Sequence, residues 1–146
     1  MRATSIPGLV LSVVCLPLLA LPQAKPDSPC RNSTVEDYSK ELAPKARAFL
    51  SELQSAVRGG DKQKIADMVL YPATVNFANR HRAVRARAAL LKDYDAIFTA
   101  KVRSAIEKQS PECLFANYQG VMIGDGEVWF EAQPDGTMKI KTVNVD

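Results

Sequence analysis

Residues 114–133 read LFANYQGVMIGDGEVWFEAQ, and this stretch decides the fold class. From Leu114 to Ile123, and again from Glu127 to Gln133, apolar and polar side chains alternate with the period of two that is typical of a half-buried β-strand. Between them, Asp125-Gly126 is a strong two-residue signal for a hairpin turn. The stretch therefore predicts one long strand that folds back on its successor in an antiparallel pair.

A further strand follows this pair. Pro134-Asp135-Gly136 predicts a second turn, and residues 138–145 predict the return strand. The apolar phase of that strand slips between Ile140 and Val143, which indicates a β-bulge near Lys141-Thr142. The C-terminal third is therefore predicted to be a three-strand meander.

Before the meander, apolar residues recur with the period of an α-helix. Ser33 or Thr34 can cap a first helix, and Pro44 predicts a kink or a new start. Gly59-Gly60 ends the main helix and Asp61 caps a short one after it. The stripe predicted to be buried on the main helix consists of Leu42, Ala46, Phe49, Leu50, Leu53, Ala56 and Val57.

The middle of the chain predicts a small hairpin followed by more helix. Tyr71-Pro72 closes the first helical part, Val75 and Phe77 indicate a strand, and a turn at Asn79-Arg80 leads into a short basic strand to Arg85. Two helical segments with apolar faces then run to Ser110-Pro111, which stops them. Their inward residues are predicted to be Leu90, Leu91, Tyr94, Ile97, Phe98, Val102, Ala105 and Ile106. The order of elements predicts an α+β fold.

Residues 1–24 have the composition of a secretory signal peptide. A basic start precedes an apolar run from Leu9 to Leu21, which at about 13 residues fits a signal peptide and is too short to span a bilayer. Cleavage after Ala24 is predicted, with Ala20 as the competing site. A retained membrane anchor and a lipidated Cys15 are the alternatives. We therefore expect a periplasmic or secreted protein that has no membrane segment after cleavage.

Cysteine usage points to the same compartment. Without the leader the chain keeps Cys30 and Cys113, and two cysteines in an exported protein are more often paired than free. Two independent thiols are the alternative. A metal site needs more soft ligands than two distant cysteines and one histidine supply, so no metal is expected. Residues 25–41 are predicted to form a tether and the start of the first helix, and residues 42–146 one domain.

Charge and composition limit the classes of partner. A chain with 47% hydrophobic residues has the material for a core, which excludes a wholly disordered protein. The formal net charge of +3 is too small to indicate a nucleic-acid partner. Gly124-Asp125-Gly126 is predicted to be a turn and not a phosphate-binding loop, because no predicted helix follows it. No cofactor is therefore expected.

The order of elements, with three stretches of sequence, resembles the nuclear transport factor 2-like superfamily, which includes the SnoaL-like and cystatin-like cone folds. The stretches are Tyr71-Pro72, residues 85–99 (RARAALLKDYDAIFT) and residues 114–130. The chain looks closest to a group of exported bacterial proteins of unassigned function. The resemblance covers roughly residues 42–145. It implies helices packed on a curved antiparallel sheet, a cone-shaped α+β barrel with a pocket inside, and an outer sheet face that often forms homodimers.

The resemblance also implies a possible enzyme, since isomerases of this fold place an Asp base beside a Tyr and a protonated acid. Tyr71, Tyr94 and Tyr118 are candidate donors. The acids fit less well, because Asp93 and Asp95 flank the inward Tyr94 and should point away from the core. No catalytic residue is therefore assigned.

Two further groups are candidates for binding. Glu127 and Glu131 share a predicted strand face with Trp129, a residue type that is enriched at interfaces. The period does not say whether that face is the inner or the outer one. The full set of candidate pocket or interface residues is Tyr71, Tyr94, Tyr118, Trp129 and Glu131.

The basic run from Arg80 to Arg87 allows two interpretations. Arg80, Arg82 and Arg85 could form an anion site near a helix N-terminus. Alternatively, they are the charges that keep an exposed edge strand from pairing with another chain. His81 has no obvious partner for general-base chemistry.

Together these features favour a non-enzymatic exported binding module. We expect it to form a homodimer and to bind a small apolar ligand or a protein partner, in a cone pocket or on the sheet face. A cofactor-independent acid–base enzyme of isomerase or cyclase type is the alternative.

Overall fold

The structure, a computed structural model, describes Cys30 and residues 32–146. The predictions for the signal peptide, for its cleavage site and for most of the tether lie outside these residues. The helices are α1 Val35–Tyr38, α2 Leu42–Arg58, α3 Lys62–Asp67, α4 Arg87–Lys92, α5 Tyr94–Ile97 and α6 Ala100–Lys108, with a short 3-10 turn at Pro111–Cys113. The strands are β1 Val69–Phe77, β2 Arg80–Val84, β3 Phe115–Asn117, β4 Gly120–Ile123, β5 Val128–Ala132 and β6 Met138–Asn144.

The helix starts follow the predicted caps. Thr34, not Ser33, caps α1, and its hydroxyl and backbone N–H form a capping box with Asp37. The Asp61 carboxylate accepts from the backbone N–H of Lys64 at 2.9 Å and caps α3. Pro44 lies in the first turn of α2, where its missing N–H costs no helical hydrogen bond. The predicted stripe of α2 is confirmed, with only Leu42 partly exposed.

The sheet is mixed and open. Its strand order is β2-β1-β6-β5-β4-β3, and all neighbours are antiparallel except β1 and β6, which run parallel. The α+β class is confirmed. The expectation of a purely antiparallel sheet is wrong, because residues 78–137 lie between these two strands and bring the chain back in the same direction. A closed barrel is not formed, since β2 and β3 are separate edges.

One predicted strand is two strands. Residues 114–123 do not run straight: a turn at Tyr118-Gln119 separates β3 from β4, which pair as a hairpin. The Asn117 side chain accepts from the backbone N–H of Gln119 at 2.8 Å, and Gly120 has a φ of +126°. The Asn117 side chain stabilises the turn, and the glycine adopts the left-handed backbone that the turn requires. The chain therefore reverses here, although apolar and polar residues continue to alternate in the sequence. The predicted three-strand meander therefore has four strands.

Other boundaries also differ. The first of the two helical segments predicted before Ser110-Pro111, which covers residues 90–98, is divided into α4 and α5. The division is at Asp93, whose ψ of 18° interrupts the helix. β1 begins at Val69, before Tyr71-Pro72, so this dipeptide lies inside a strand and does not precede it. The predicted bulge is confirmed, because Trp129 pairs with Thr142 while Phe130 pairs with Ile140, which leaves Lys141 as the extra residue.

The helices and one sheet face form a single apolar core. No charged or polar side chain is buried among the described residues, apart from the hydroxyl carried by Tyr94. Phe49 of α2 stacks on Phe130 of β5 with ring centroids 4.7 Å apart, so side chains fill the space between helix and sheet. In the described part of the chain no helix is both long and apolar enough to cross a membrane.

A disulfide joins Cys30 to Cys113, as predicted. It holds the segment before α1 against the 3-10 turn that leads into β3. Beside it, Thr34 forms an isolated bridge with Phe115, and the Val35 N–H donates to Leu114 O at 2.6 Å. The disulfide is compatible with an exported protein.

Candidate functional site

The sheet face turned away from the helices is the candidate site, and we call it the open face. Strand registers align six of its residues in one row from edge to edge, and none of the six is buried. In spatial order from the β3 edge the row is Phe115, Met122, Trp129, Thr142, Thr74 and Ala83.

The half of the row near β3 is apolar. Phe115, Met122 and Trp129 stand on three neighbouring strands, and the Phe115 and Trp129 rings meet edge to face with centroids 6.4 Å apart. Each ring is only partly covered. Edge-to-face pairs hold both rings in a fixed orientation, so this half presents an ordered apolar surface.

The half near β1 is polar. Asn76 Nδ2 donates to Asn144 Oδ1 at 2.7 Å across the parallel β1–β6 pair, and Asn144 Nδ2 donates to Gly126 O. A shallow depression of about 350 Å³ lies between the halves. Its lining consists of Asn76, Gln119, Trp129, Lys141, Thr142 and Asn144.

Charge on the open face is balanced. Glu131 follows Trp129 on the same side of β5, and its carboxylate lies 2.8 Å from the Lys141 ammonium. This pair neutralises itself, and Lys139, which stands opposite Glu131 on β6, donates from its ammonium to Asp67 O at 2.6 Å at the end of α3. Glu127, predicted to stand beside these residues, lies instead in the turn before β5, where its side chain accepts from the Asp125 N–H at 2.7 Å.

The three candidate tyrosines lie in three different places. The Tyr71 hydroxyl donates to Ala66 O at 2.9 Å, and partial burial raises the pKa of this phenol. Tyr94 is in the core, stacked on Phe98, and burial raises its pKa as well. Tyr118 is 87% exposed in the β3–β4 turn. The structure therefore does not bring the tyrosines into one pocket with Trp129 and Glu131.

The candidate acids point away from the core, as predicted. Asp93 lies 2.8 Å from an Arg82 guanidinium nitrogen, and Asp95 accepts two bonds from Lys62 at 2.9 and 3.0 Å. Both carboxylates are thus engaged on the surface.

Arg80 and Arg82 lie in the edge strand β2, and Arg85 follows directly after it. Arg80 and Arg82 project toward the helix side, with their guanidinium carbons 4.9 and 5.9 Å from the centre of the Phe77 ring. Arg85 follows the strand and is exposed. Arg82 and Arg85 line a small depression of about 210 Å³ together with Asp93, whose carboxylate already pairs with Arg82.

Sequence reasoning found Trp129 and Glu131 but missed most of their neighbours. Phe115, Met122, Thr142 and Thr74 join the site only through strand register, because they come from four different strands. The sequence shows that apolar and polar residues alternate within each strand. It does not show that β1 pairs with β6.

Comparisons of the chain with protein-family models, with curated proteins and with solved structures found no match.

Proposed function

We propose that this protein is an exported binding module that forms a homodimer through the open face. The observation that carries the proposal is the uncovered cross-strand row with Trp129 at its middle. Aromatic residues and Met are enriched in the cores of protein interfaces, and Trp is enriched among the residues that contribute most to binding.

The dimensions of the open face suit a protein partner. Six strands spaced about 4.8 Å apart make a face ~24 Å wide. A broad surface with an apolar half and a hydrogen-bonding half resembles an interface more than it resembles a small-molecule pocket.

The charge of the face favours a second copy of the same chain. In a two-fold interface each patch meets itself, so an unpaired charge at its centre would face its own copy. The Lys141–Glu131 pair neutralises its own charges, and the Lys139 ammonium is directed toward the end of α3. The Asn76 and Asn144 amides can both donate and accept, as a self-complementary surface requires.

Two further parts of the proposal concern the superfamily of the protein and its export. Membership of the nuclear transport factor 2-like superfamily, with its cone-shaped architecture, is supported by helices that cover one face of a six-strand sheet. Export is supported by the disulfide and by the composition of residues 1–24. We assign no reaction, because among the described residues no buried carboxylate accompanies any tyrosine.

Sedimentation velocity at a series of concentrations tests the dimer. We expect the wild-type protein, recovered from the periplasm or the medium, to be a dimer and Thr74→Arg to be a monomer. Thr74 is exposed, so the substitution does not disturb the core. Trp129→Ala should also weaken the dimer, and the emission of Trp129, which is the only tryptophan in the chain, should shift to longer wavelength on dilution.

A matched control introduces the same charge on the helix side. Ala96 is exposed on α5, so Ala96→Arg should leave the dimer unchanged. A wild-type protein that is monomeric at every concentration would overturn the proposal, as would an Ala96→Arg variant that dissociates as readily as Thr74→Arg.

Intact mass of the same preparation tests export. We expect loss of residues 1–24, or of 1–20 if the competing site is used, together with the loss of two hydrogens at the disulfide. An uncleaved chain with free thiols would contradict this part and leave the dimer test unaffected.

A further inference from the structure

A second concave surface lies on the other side of the molecule, between α2, α3 and the turn before β6. The cleft has a volume of about 720 Å³, within the roughly 300–1,000 Å³ that is common for ligand pockets. Its lining comes from α2, α3 and residues 136–139, and it meets the open face only at Lys139, which pairs with Glu131 of β5.

The floor of the cleft is the place where the core comes closest to solvent. Phe49, Met68 and Met138 form it. Met138 at 8% and Met68 at 7% are the most exposed members of the core among the described residues. Methionine side chains adapt their shape to an apolar ligand more easily than branched residues do.

The rim of the cleft carries three acids and three lysines, but the acids are already engaged. Glu52 lies 2.7 Å from the Lys64 ammonium, Asp67 pairs with Arg87, and Asp61 caps α3. Because their charges or lone pairs are engaged within the protein, these carboxylates do not offer a free acidic site.

Two ammonium groups on the rim have no carboxylate in an ion pair within the described chain. Lys139 Nζ donates to the backbone oxygen of Asp67 at 2.6 Å, which leaves its charge without a salt bridge. Lys45 projects from α2 toward the turn before β6, and a methyl group on Gly136 would lie 3.9 Å from its Nζ. Both lysines thus line the cleft together with Met138.

We propose that this cleft binds an amphipathic anion of the fatty-acid class. The carboxylate head would accept hydrogen bonds from Lys45 and Lys139, and the apolar chain would lie over Phe49, Met68 and Met138. Ammonium groups outside salt bridges, beside an apolar floor, complement such a ligand and neither a neutral lipid nor a bare inorganic anion, because each of those satisfies only half of the site. The inference goes beyond the dimer and does not depend on it.

An amide chemical-shift titration with decanoate tests the proposal, with decanol and inorganic phosphate as probes that carry only one half of the ligand. We expect saturable binding of decanoate, with shifts confined to α2, α3 and residues 136–139. Decanol and phosphate should bind at least about tenfold more weakly, because a charge-assisted hydrogen bond contributes more than a neutral one and the tail supplies the rest.

Variants separate the two lysines from general surface charge. The double variant Lys45→Gln/Lys139→Gln should weaken decanoate binding about tenfold or more. Lys108→Gln, an exposed change at the end of α6 outside the cleft, should leave it unchanged. Thr74→Arg should also bind decanoate normally, which distinguishes failure of this proposal from failure of the dimer.

Four results would overturn the proposal. The first is an absence of saturable decanoate binding to the wild-type protein. The second is equal affinity for decanol, and the third is an unchanged affinity in the double lysine variant. The fourth is a set of shifts centred on the open face, which would mean that the decanoate tail binds to any exposed apolar surface.

Discussion

Cys30 and Cys113 are separated by 83 positions in the chain, yet their Cα atoms lie 5.1 Å apart and a disulfide joins them. Replacing both by serine should lower the free energy of unfolding by about 4–5 kcal/mol, because the open chain regains the entropy that a long closed loop denies it. Urea unfolding followed by circular dichroism measures the change.

Reduction of the wild-type protein provides the control for this disulfide. The reduced protein should unfold at the same urea concentration as the double serine variant, since both lack the same constraint. If the variant loses less than about 1 kcal/mol, the bridge does not hold the unfolded chain together as the chain-entropy model requires.

Thr34 is the residue whose side chain starts α1. Its Oγ1 accepts from the Asp37 N–H at 3.4 Å, and the Asp37 carboxylate accepts from the Thr34 N–H at 2.8 Å. Thr34→Ala should destabilise the protein by about 1 kcal/mol through loss of this cap. Ser33→Ala is the matched control, because Ser33 is exposed and does not cap the helix, and its thermal midpoint should stay at the wild-type value.

Gly120 begins β4 with a φ of +126°, and a Cβ there would lie 2.6 Å from Phe130 O of the neighbouring strand. Gly120→Ala should therefore destabilise the protein by about 3 kcal/mol or more, from backbone strain and from loss of the β4–β5 contact. Gly60→Ala changes a glycine at φ +66° with open space around it and should cost only ~1 kcal/mol. Equal losses in the two variants would mean that the approach to Phe130 is unimportant.

Asp67 accepts a hydrogen bond from Arg87, which holds the pKa of its carboxyl below the ordinary value of 3.8. A lowered folded-state pKa stabilises the fold above the unfolded pKa, and this stabilisation is lost as pH falls through the folded value. Wild type should therefore be more stable than Asp67→Asn at neutral pH, and the two should converge in strong acid.

Urea midpoints measured across this pH range test the Asp67 prediction. Glu107→Gln is a suitable control, because Glu107 is exposed and forms no ion pair with a described residue. Its difference from wild type should not follow the same pH course. A gap between wild type and Asp67→Asn that persists unchanged in acid would show that the substitution acts through something other than this ion pair.

Local chemistry explains which parts of the fold could be predicted from the sequence. The cap at Asp61, the end of α2 at Gly59-Gly60 and the bulge at Lys141 each depend on a few neighbouring residues. Such features can be predicted from the period of the apolar residues and from the conformational preferences of Gly, Asp and Pro. They were therefore found at the correct positions.

The misplaced boundaries depend on contacts that local sequence does not contain. Asp93 interrupts the predicted helix where its carboxylate meets Arg82 of β2. β1 extends back to Val69 because Val69 pairs with Ile140, which is far along the chain. At Tyr118-Gln119 the apolar alternation continues through a turn, and only the side-chain bond of Asn117 and the backbone of Gly120 mark it.

The candidate sites were harder to predict for the same reason. Alternation placed Trp129 and Glu131 on one face of a strand, and the position of the helices was needed to identify it as the open face. Lys45 and Lys139 border one cleft, although Lys45 lies in α2 and Lys139 lies far along the chain in β6. No spacing rule connects such residues.

The parallel pairing of β1 with β6 sets when the protein can fold. β1 stands between β2, which follows it at once, and β6, which is synthesised after all the other described strands. Until residues 138–144 have been synthesised, the β1–β2 hairpin and the β3–β5 strands remain unconnected, and α2 has no complete sheet to cover. The six-strand sheet can therefore form only after residues 138–144 have left the ribosome.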